Sequence, residues 1–111
     1  MQDNRMIKVL KSKLHRATIT EADLHYEGSI TISTDLMELV GIRRYEAVCI
    51  FDIDNGNRFE TYTIEGAPGE GIICVNGAAA RLVSAGDKII IAAFNWLPES
   101  EYDQYKPRVV L

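Results

Sequence analysis

A hydroxyl that directly follows a glycine can attack its own main chain, and Gly28–Ser29 offers that arrangement within Ala22-Asp23-Leu24-His25-Tyr26-Glu27-Gly28-Ser29. Gly28 lacks a Cβ and reaches backbone conformations closed to most residues, so the Ser29 oxygen can approach the preceding carbonyl carbon. Attack there moves the acyl group from nitrogen to oxygen and turns the amide into an ester. Elimination from the ester frees a C-terminus at Gly28 and leaves dehydroalanine, which hydrolyses to a pyruvoyl group with loss of ammonia. The product is a ketone built into the backbone, an electrophile that needs no bound cofactor. Gly-Ser is also a common turn dipeptide, so the surrounding residues must decide between a turn and a reactive bond.

Other residues offer chemistry of their own. Lys13, His15 and Arg16 gather three potential cations within four residues; such a run also suits a strand edge, where lysine discourages unwanted pairing. Arg58 carries a planar fork able to bind a carboxylate bidentately. Tyr62 has a phenol of pKa about 10 that can donate to a developing carbanion, or fill core with its hydroxyl at the rim. Asn76-Gly77-Ala78-Ala79 offers an amide side chain and backbone N–H groups to a substrate or an oxyanion, and small residues after glycine suit a close approach of backbone to ligand. His15 and His25 stand ten apart with no third ligand in view, so no metal site is expected.

The run Lys13-Leu14-His15-Arg16, then Ala22 through Ser29, then Asn57-Arg58-Phe59 with Thr61-Tyr62, then Val75-Asn76-Gly77-Ala78-Ala79-Ala80 resembles the aspartate 1-decarboxylase family. These are pyruvoyl-dependent enzymes that make β-alanine from L-aspartate for pantothenate and coenzyme A synthesis. The resemblance spans Met6 to Pro107 with the motifs in the same order. It implies autocatalytic cleavage into a short β chain, residues 1–28, and a longer α chain, residues 29–111. Ser29 would become the covalent pyruvoyl group, which forms a Schiff base with substrate and takes up the electrons left when CO2 departs. Tyr62 would be the proton donor that reprotonates the substrate Cα. Lys13 and Arg58 would bind the two substrate carboxylates, in an order the residues leave open. Thr61 would contact substrate and help polarise the Gly28 carbonyl during cleavage. Asn76, Gly77, Ala78 and Ala79 would bind substrate, with His15 and Tyr26 lining the pocket. The resemblance also implies a six-stranded double-ψ β-barrel and a homotetramer with sites between subunits. It leaves autonomous cleavage, and cleavage aided by a maturation helper protein, both open.

The elements that must hold these residues can be read from periodicity. A chain of 111 residues fits one domain able to bury a core without staples. Its formal net charge of −4 implies no broad cationic surface for nucleic acid. Cys49 and Cys74 each lie in an apolar, strand-like run and are expected to be buried free thiols in a reducing compartment. No apolar run reaches the roughly 18 residues of a membrane span and no signal-peptide pattern opens the chain, so a cytoplasmic location is expected.

Alternating apolar residues predict strands over Met6–Leu14, His15–Thr20, Ile30–Ser33, Glu46–Asp54, Arg58–Ile64 and Ile72–Val75. Strict alternation puts Arg58, Glu60 and Tyr62 on one face of their strand and Thr61 on the other. Ser33-Thr34-Asp35 before Leu36, Leu39 and Val40, with Gly41 behind, predicts a short capped helix. Asn55-Gly56 predicts a type I′ hairpin turn, and Asn76-Gly77 is read as a candidate for a second. Lys88–Phe94 is apolar enough for a strand buried on both faces or at a subunit contact; Trp96-Leu97-Pro98 and the charged tail are expected to wrap the surface or a neighbour. Many short strands and few helices predict an all-β barrel or sandwich.

Two other readings compete. Ile30-Thr31-Ile32 with Asp35–Ile42 is also similar to swapped-hairpin DNA-binding regulators related to this barrel, but the net charge and the lack of a basic arm argue against DNA. An inactive relative that keeps the barrel as an assembly unit would stay one unbroken chain.

Overall fold

The apolar alternation that predicts strands is realised in a mainly β structure. A computed structural model describes residues 4–25 and 28–111, so Tyr26 lies outside the described residues. These residues form strands β1 (Met6–Thr18), β2 (Glu21–Asp23), β3 (Ser29–Ser33), β4 (Ala47–Asp52), β5 (Arg58–Gly66), β6 (Ile73–Asn76), β7 (Lys88–Pro98) and β8 (Arg108–Val110), and helix α1 (Thr34–Val40). Single 3₁₀ segments follow β6 (Gly77–Leu82) and β7 (Glu99–Gln104). The strand order is β2-β6-β3-β5-β4-β7-β1-β8. Pairing is mixed: β3 runs parallel to β5, β2 to β6 and β1 to β8, while the other neighbours are antiparallel. Ile30 and Ile32 of β3, Val48 and Ile50 of β4, Val75 of β6 and Ile89 and Ile91 of β7 all turn inward to one core.

Several local expectations are corrected by what the side chains do. Met6–Thr18 is one strand, where two are expected; the register shifts between His15 and Ala17 and Arg16 takes a φ of 63°, so a bulge bends the strand without ending it. Gly41 stops α1 as predicted, with φ 75° and its N–H bonded to the Met37 carbonyl. Ser33 precedes α1 but makes no side-chain cap; its oxygen accepts the Ile72 N–H at 2.6 Å and ties α1 to the strand beyond.

The Asn55-Gly56 link joins β4 to β5 as expected, but not as a two-residue type I′ turn, which needs positive φ at both positions. Gly56 alone has it (φ 79°). The Asp52 carboxylate collects the N–H groups of Asp54 and Asn55 at 2.8 and 3.2 Å, and the Gly56 N–H returns to the Asp52 carbonyl at 2.9 Å. That side-chain bonding competes with the ladder and widens the turn. Asn76-Gly77 is likewise no hairpin: Gly77 (φ 72°) swings the chain into the 3₁₀ segment. Trp96, Leu97 and Pro98 continue β7, paired with Lys8, Ile7 and Met6, because the long β1 offers them an edge. Of the two thiols, Cys74 is buried and Cys49 half-buried, both free.

Candidate active site

Period-two alternation puts Ser29 and Thr31 on one face of β3, and Cys74 and Asn76 on one face of β6. The antiparallel register sets Ser29 opposite Asn76 and Thr31 opposite Cys74. The four side chains therefore meet on the face turned away from Ile30, Ile32, Ile73 and Val75. Ser29 is 1% exposed and Asn76 3%. The Asn76 amide donates from Nδ2 to Ser29 Oγ and to Thr31 Oγ1, each at 3.0 Å, and its Oδ1 accepts from Cys74 Sγ at 3.1 Å. Burial pushes the Cys74 thiol up from its ordinary pKa, and the charges of Glu21 and Asp23 push it further, so the sulfur keeps its proton. A Cβ at Gly28 would meet nothing within 4 Å, so space does not demand glycine there.

The segment after Asn76 is held from outside. Gly77 and Ala80 are buried, Ala79 is half-buried against the core and Ala78 is exposed. The far end of this segment is pinned by the β4–β5 turn: Asn55 Nδ2 and Asn57 Nδ2 both donate to the Leu82 carbonyl at 2.8 Å.

Tyr62 belongs to this neighbourhood through the sheet. Ile30 of β3 lies beside Thr63 of β5 where their parallel ladder begins, so Tyr62 and Thr61 directly precede that ladder on one strand as Ser29 and Gly28 do on the other. Tyr62 pairs with Ala47 and Thr61 with the buried Val48, which confirms the expected division of faces; Tyr62 is 38% exposed.

The cations stand elsewhere. Lys13, Ala92, Cys49 and Glu60 form one row across β1, β7, β4 and β5, and His15, Ile90, Phe51 and Arg58 form the next. Lys13 and Arg58 share a face, but three strand spacings, about 14 Å, separate β1 from β5. Arg58 is exposed, its guanidinium 4.6 Å from the centre of the Phe51 ring, and Lys13 is half-buried with no ion-pair partner among the described residues. His15 Nδ1 is buried with no hydrogen-bond partner among the described residues. A groove of about 740 Å³ lined by Lys11, Met37, Arg43, Arg44 and Glu65 lies beside α1 and contains none of these residues.

Two participants were not singled out as site residues from sequence. Thr31 and Cys74 are each two residues from an expected site residue within a strand, and that spacing is the signal that would have found them.

A mainly β chain with a buried serine held by an amide donor, placed directly after glycine, has the makings of a self-processing β-protein. Residues 5–111 match the aspartate decarboxylase family profile. The chain is 60% identical over 104 residues to the aspartate 1-decarboxylase of Caldicellulosiruptor bescii, covering 94% of this chain and 81% of that one. It is 58% identical over 104 residues to that of Porphyromonas gingivalis, covering 94% and 88%. The aspartate 1-decarboxylase of Syntrophotalea carbinolica is 56% identical over 103 residues, covering 93% and 79%. In structure, the chain is similar to the rationally designed mkDPBB_sym_86 protein, with a TM-score of 0.51 at 15% identity, over 71% of this chain and 91% of that one; this likeness concerns the fold alone. The chain belongs to the aspartate decarboxylase family.

Proposed function

We propose that this chain cleaves itself between Gly28 and Ser29 and then removes the α-carboxylate of L-aspartate, giving β-alanine and CO2 for pantothenate and coenzyme A synthesis. The observation that carries the reading is the buried Ser29 Oγ held 3.0 Å from Asn76 Nδ2, in a chain of this family. In maturation, Oγ bonds to the Gly28 carbonyl carbon as the C–N bond breaks, and the hydroxyl proton passes to the freed nitrogen. Loss of the residue-29 Cα proton then breaks the Cβ–Oγ bond and releases the Gly28 carboxylate. Water replaces nitrogen at Cα and ammonia leaves. Thr61, two residues before the β3–β5 ladder begins at Thr63, is the group for polarising that carbonyl.

The residues present fit a backbone ketone at position 29, because Asn76 supplies an N–H donor beside that residue. Such a pyruvoyl group supplies the electron sink for the carbanion left by decarboxylation. The chain's own side chains do the rest. Tyr62 returns a proton to the substrate Cα. Arg58 and Lys13 bind the carboxylates, and their separation on one chain favours sites completed by a second subunit. Asn76, Gly77, Ala78 and Ala79 form the wall against which substrate lies, with His15 and Tyr26 at its margin.

The finer architecture we favour is a closed six-stranded double-ψ β-barrel of β1 and β3–β7, with the three-residue β2 and β8 at the two ends of the strand order. The outer face of β4 and β7 carries Phe51, Ile90, Phe94 and Trp96, the last two exposed, and such an apolar stripe suits a homotetramer contact. The free thiols fit a reducing cytoplasm. Incubation with L-aspartate should yield β-alanine and CO2 in equal amounts; a cleaved protein that releases neither would refute the reading.

A further inference from the structure

An asparagine amide can stand either way round, and only its partners decide which end faces which neighbour. At Asn76 the deciding partner is the Cys74 thiol, two residues away on the same face of β6. We propose that Cys74 is a positioning residue for self-cleavage: by donating to Asn76 Oδ1 it turns the amide so that Nδ2 faces Ser29 Oγ. The inference rests on the self-cleavage reading above and adds to it a residue that touches neither the scissile bond nor the substrate.

Three features of the network support it. Sγ and Oδ1 are 3.1 Å apart, and both residues are buried, Cys74 at 7% exposed, so water cannot replace the thiol as donor. The two N–H bonds of the amide are spent on two hydroxyls, Ser29 and Thr31, at equal distances. Turning the amide over would aim its carbonyl oxygen at both hydroxyls and an N–H at the sulfur. It would set a carbonyl oxygen, in place of the N–H donor, against Ser29 Oγ. The surroundings also keep the sulfur a donor: burial and the carboxylates of Glu21 and Asp23 disfavour the thiolate.

The test is the rate of splitting at Gly28–Ser29, followed by intact mass under denaturing conditions on full-length chains purified soon after synthesis. Cys74→Val removes the donor at similar volume and should split about tenfold more slowly, the scale expected when a buried acceptor loses its partner. Cys74→Ser keeps a donor and should split within about twofold of the unaltered chain, a rescue that a purely packing role would not give. Should the valine variant fail to fold, judged by circular dichroism, Cys74→Ala, which is smaller and also lacks the donor, takes its place. Equal rates for the unaltered, donor-lacking and serine chains would overturn the role of Cys74 and leave self-cleavage standing. An unaltered chain that never splits would overturn both.

Discussion

Asn76 Nδ2 lies 3.0 Å from Ser29 Oγ across 47 residues of sequence, and the pairing of β3 with β6 is what closes that distance. The amide that donates to the Ser29 hydroxyl belongs to the last residue of β6, so the same residue both ends a strand and holds the oxygen of the proposed nucleophile. Since the hydroxyl is buried, its position is set by protein groups alone.

Replacing Ser29 by alanine removes that oxygen while leaving Asn76 its bond to Thr31 Oγ1 (3.0 Å). Ser29→Ala is expected to fold and to remain a single inactive polypeptide. Efficient scission of that variant at residue 28 would refute attack by the serine oxygen.

Tyr62→Phe keeps the ring and loses the phenolic hydroxyl, and with it the proton to be donated. Self-processing should proceed, and turnover should fall by about 10²–10⁴, the range typical of a lost proton donor. Steady-state CO2 release checks this; a phenylalanine variant with unchanged turnover would remove Tyr62 from the donor role.

Lys13→Ala and Arg58→Ala should each abolish most activity as homogeneous assemblies. If a site takes Lys13 from one subunit and Arg58 from another, refolding the two inactive variants together restores both cations at about a quarter of the sites. No recovery on mixing would mean that both residues serve the same subunit's site.

A pH effect on stability follows from Asp52 and Asp87, whose carboxylate oxygens lie within 4.8 Å of one another and of Asp54. Burial holds the Asp52 carboxyl above its ordinary range, helped by a hydrogen bond to Asp87 and by that residue's charge, while the Asp54 and Asn55 N–H groups pull it down. The same shared hydrogen bond, with the Ser84 N–H, holds Asp87 below its ordinary range. A raised folded pKa means that the Asp52 contribution is complete below the unfolded carboxylate pKa and is lost as pH rises through the folded value. The Asp87 contribution has the opposite sign: it is present above the unfolded pKa and lost as pH falls through the folded value. Between the two, we expect one proton to serve both groups. Asp52→Asn supplies a permanent N–H donor to Asp87, so it should raise Tm at neutral pH by about 2–5 °C and flatten the fall in Tm from about pH 4 to 7. A variant with a lower Tm and the same pH dependence would contradict the shared proton.

Much of this was legible in the sequence where a local rule acted alone. Alternation located β1 and β3–β6 and an apolar run located β7, though β2 and β8 went unseen; alternation also separated Tyr62 from Thr61, and Gly41 marked the end of α1. The rules failed where a side chain or a distant partner competed. The Asp52 carboxylate captured two backbone N–H groups and opened the Asn55-Gly56 turn, a bulge at Arg16 joined two expected strands into one, and β1 drew Trp96 into the sheet. The roles of Thr31 and Cys74 depend on cross-strand register, which no single segment encodes. The separation of Lys13 from Arg58 is likewise a property of strand order, visible only once β7 and β4 stand between them.

The main chain is expected to break at Gly28–Ser29 and to leave a ketone in place of the Ser29 amine. Intact mass of the purified protein under denaturing conditions reads this directly. Two polypeptides should appear, residues 1–28 and 29–111, their masses summing to that of the precursor plus one water and minus one ammonia. A single unbroken chain, or a second fragment that still begins with serine, would contradict the account.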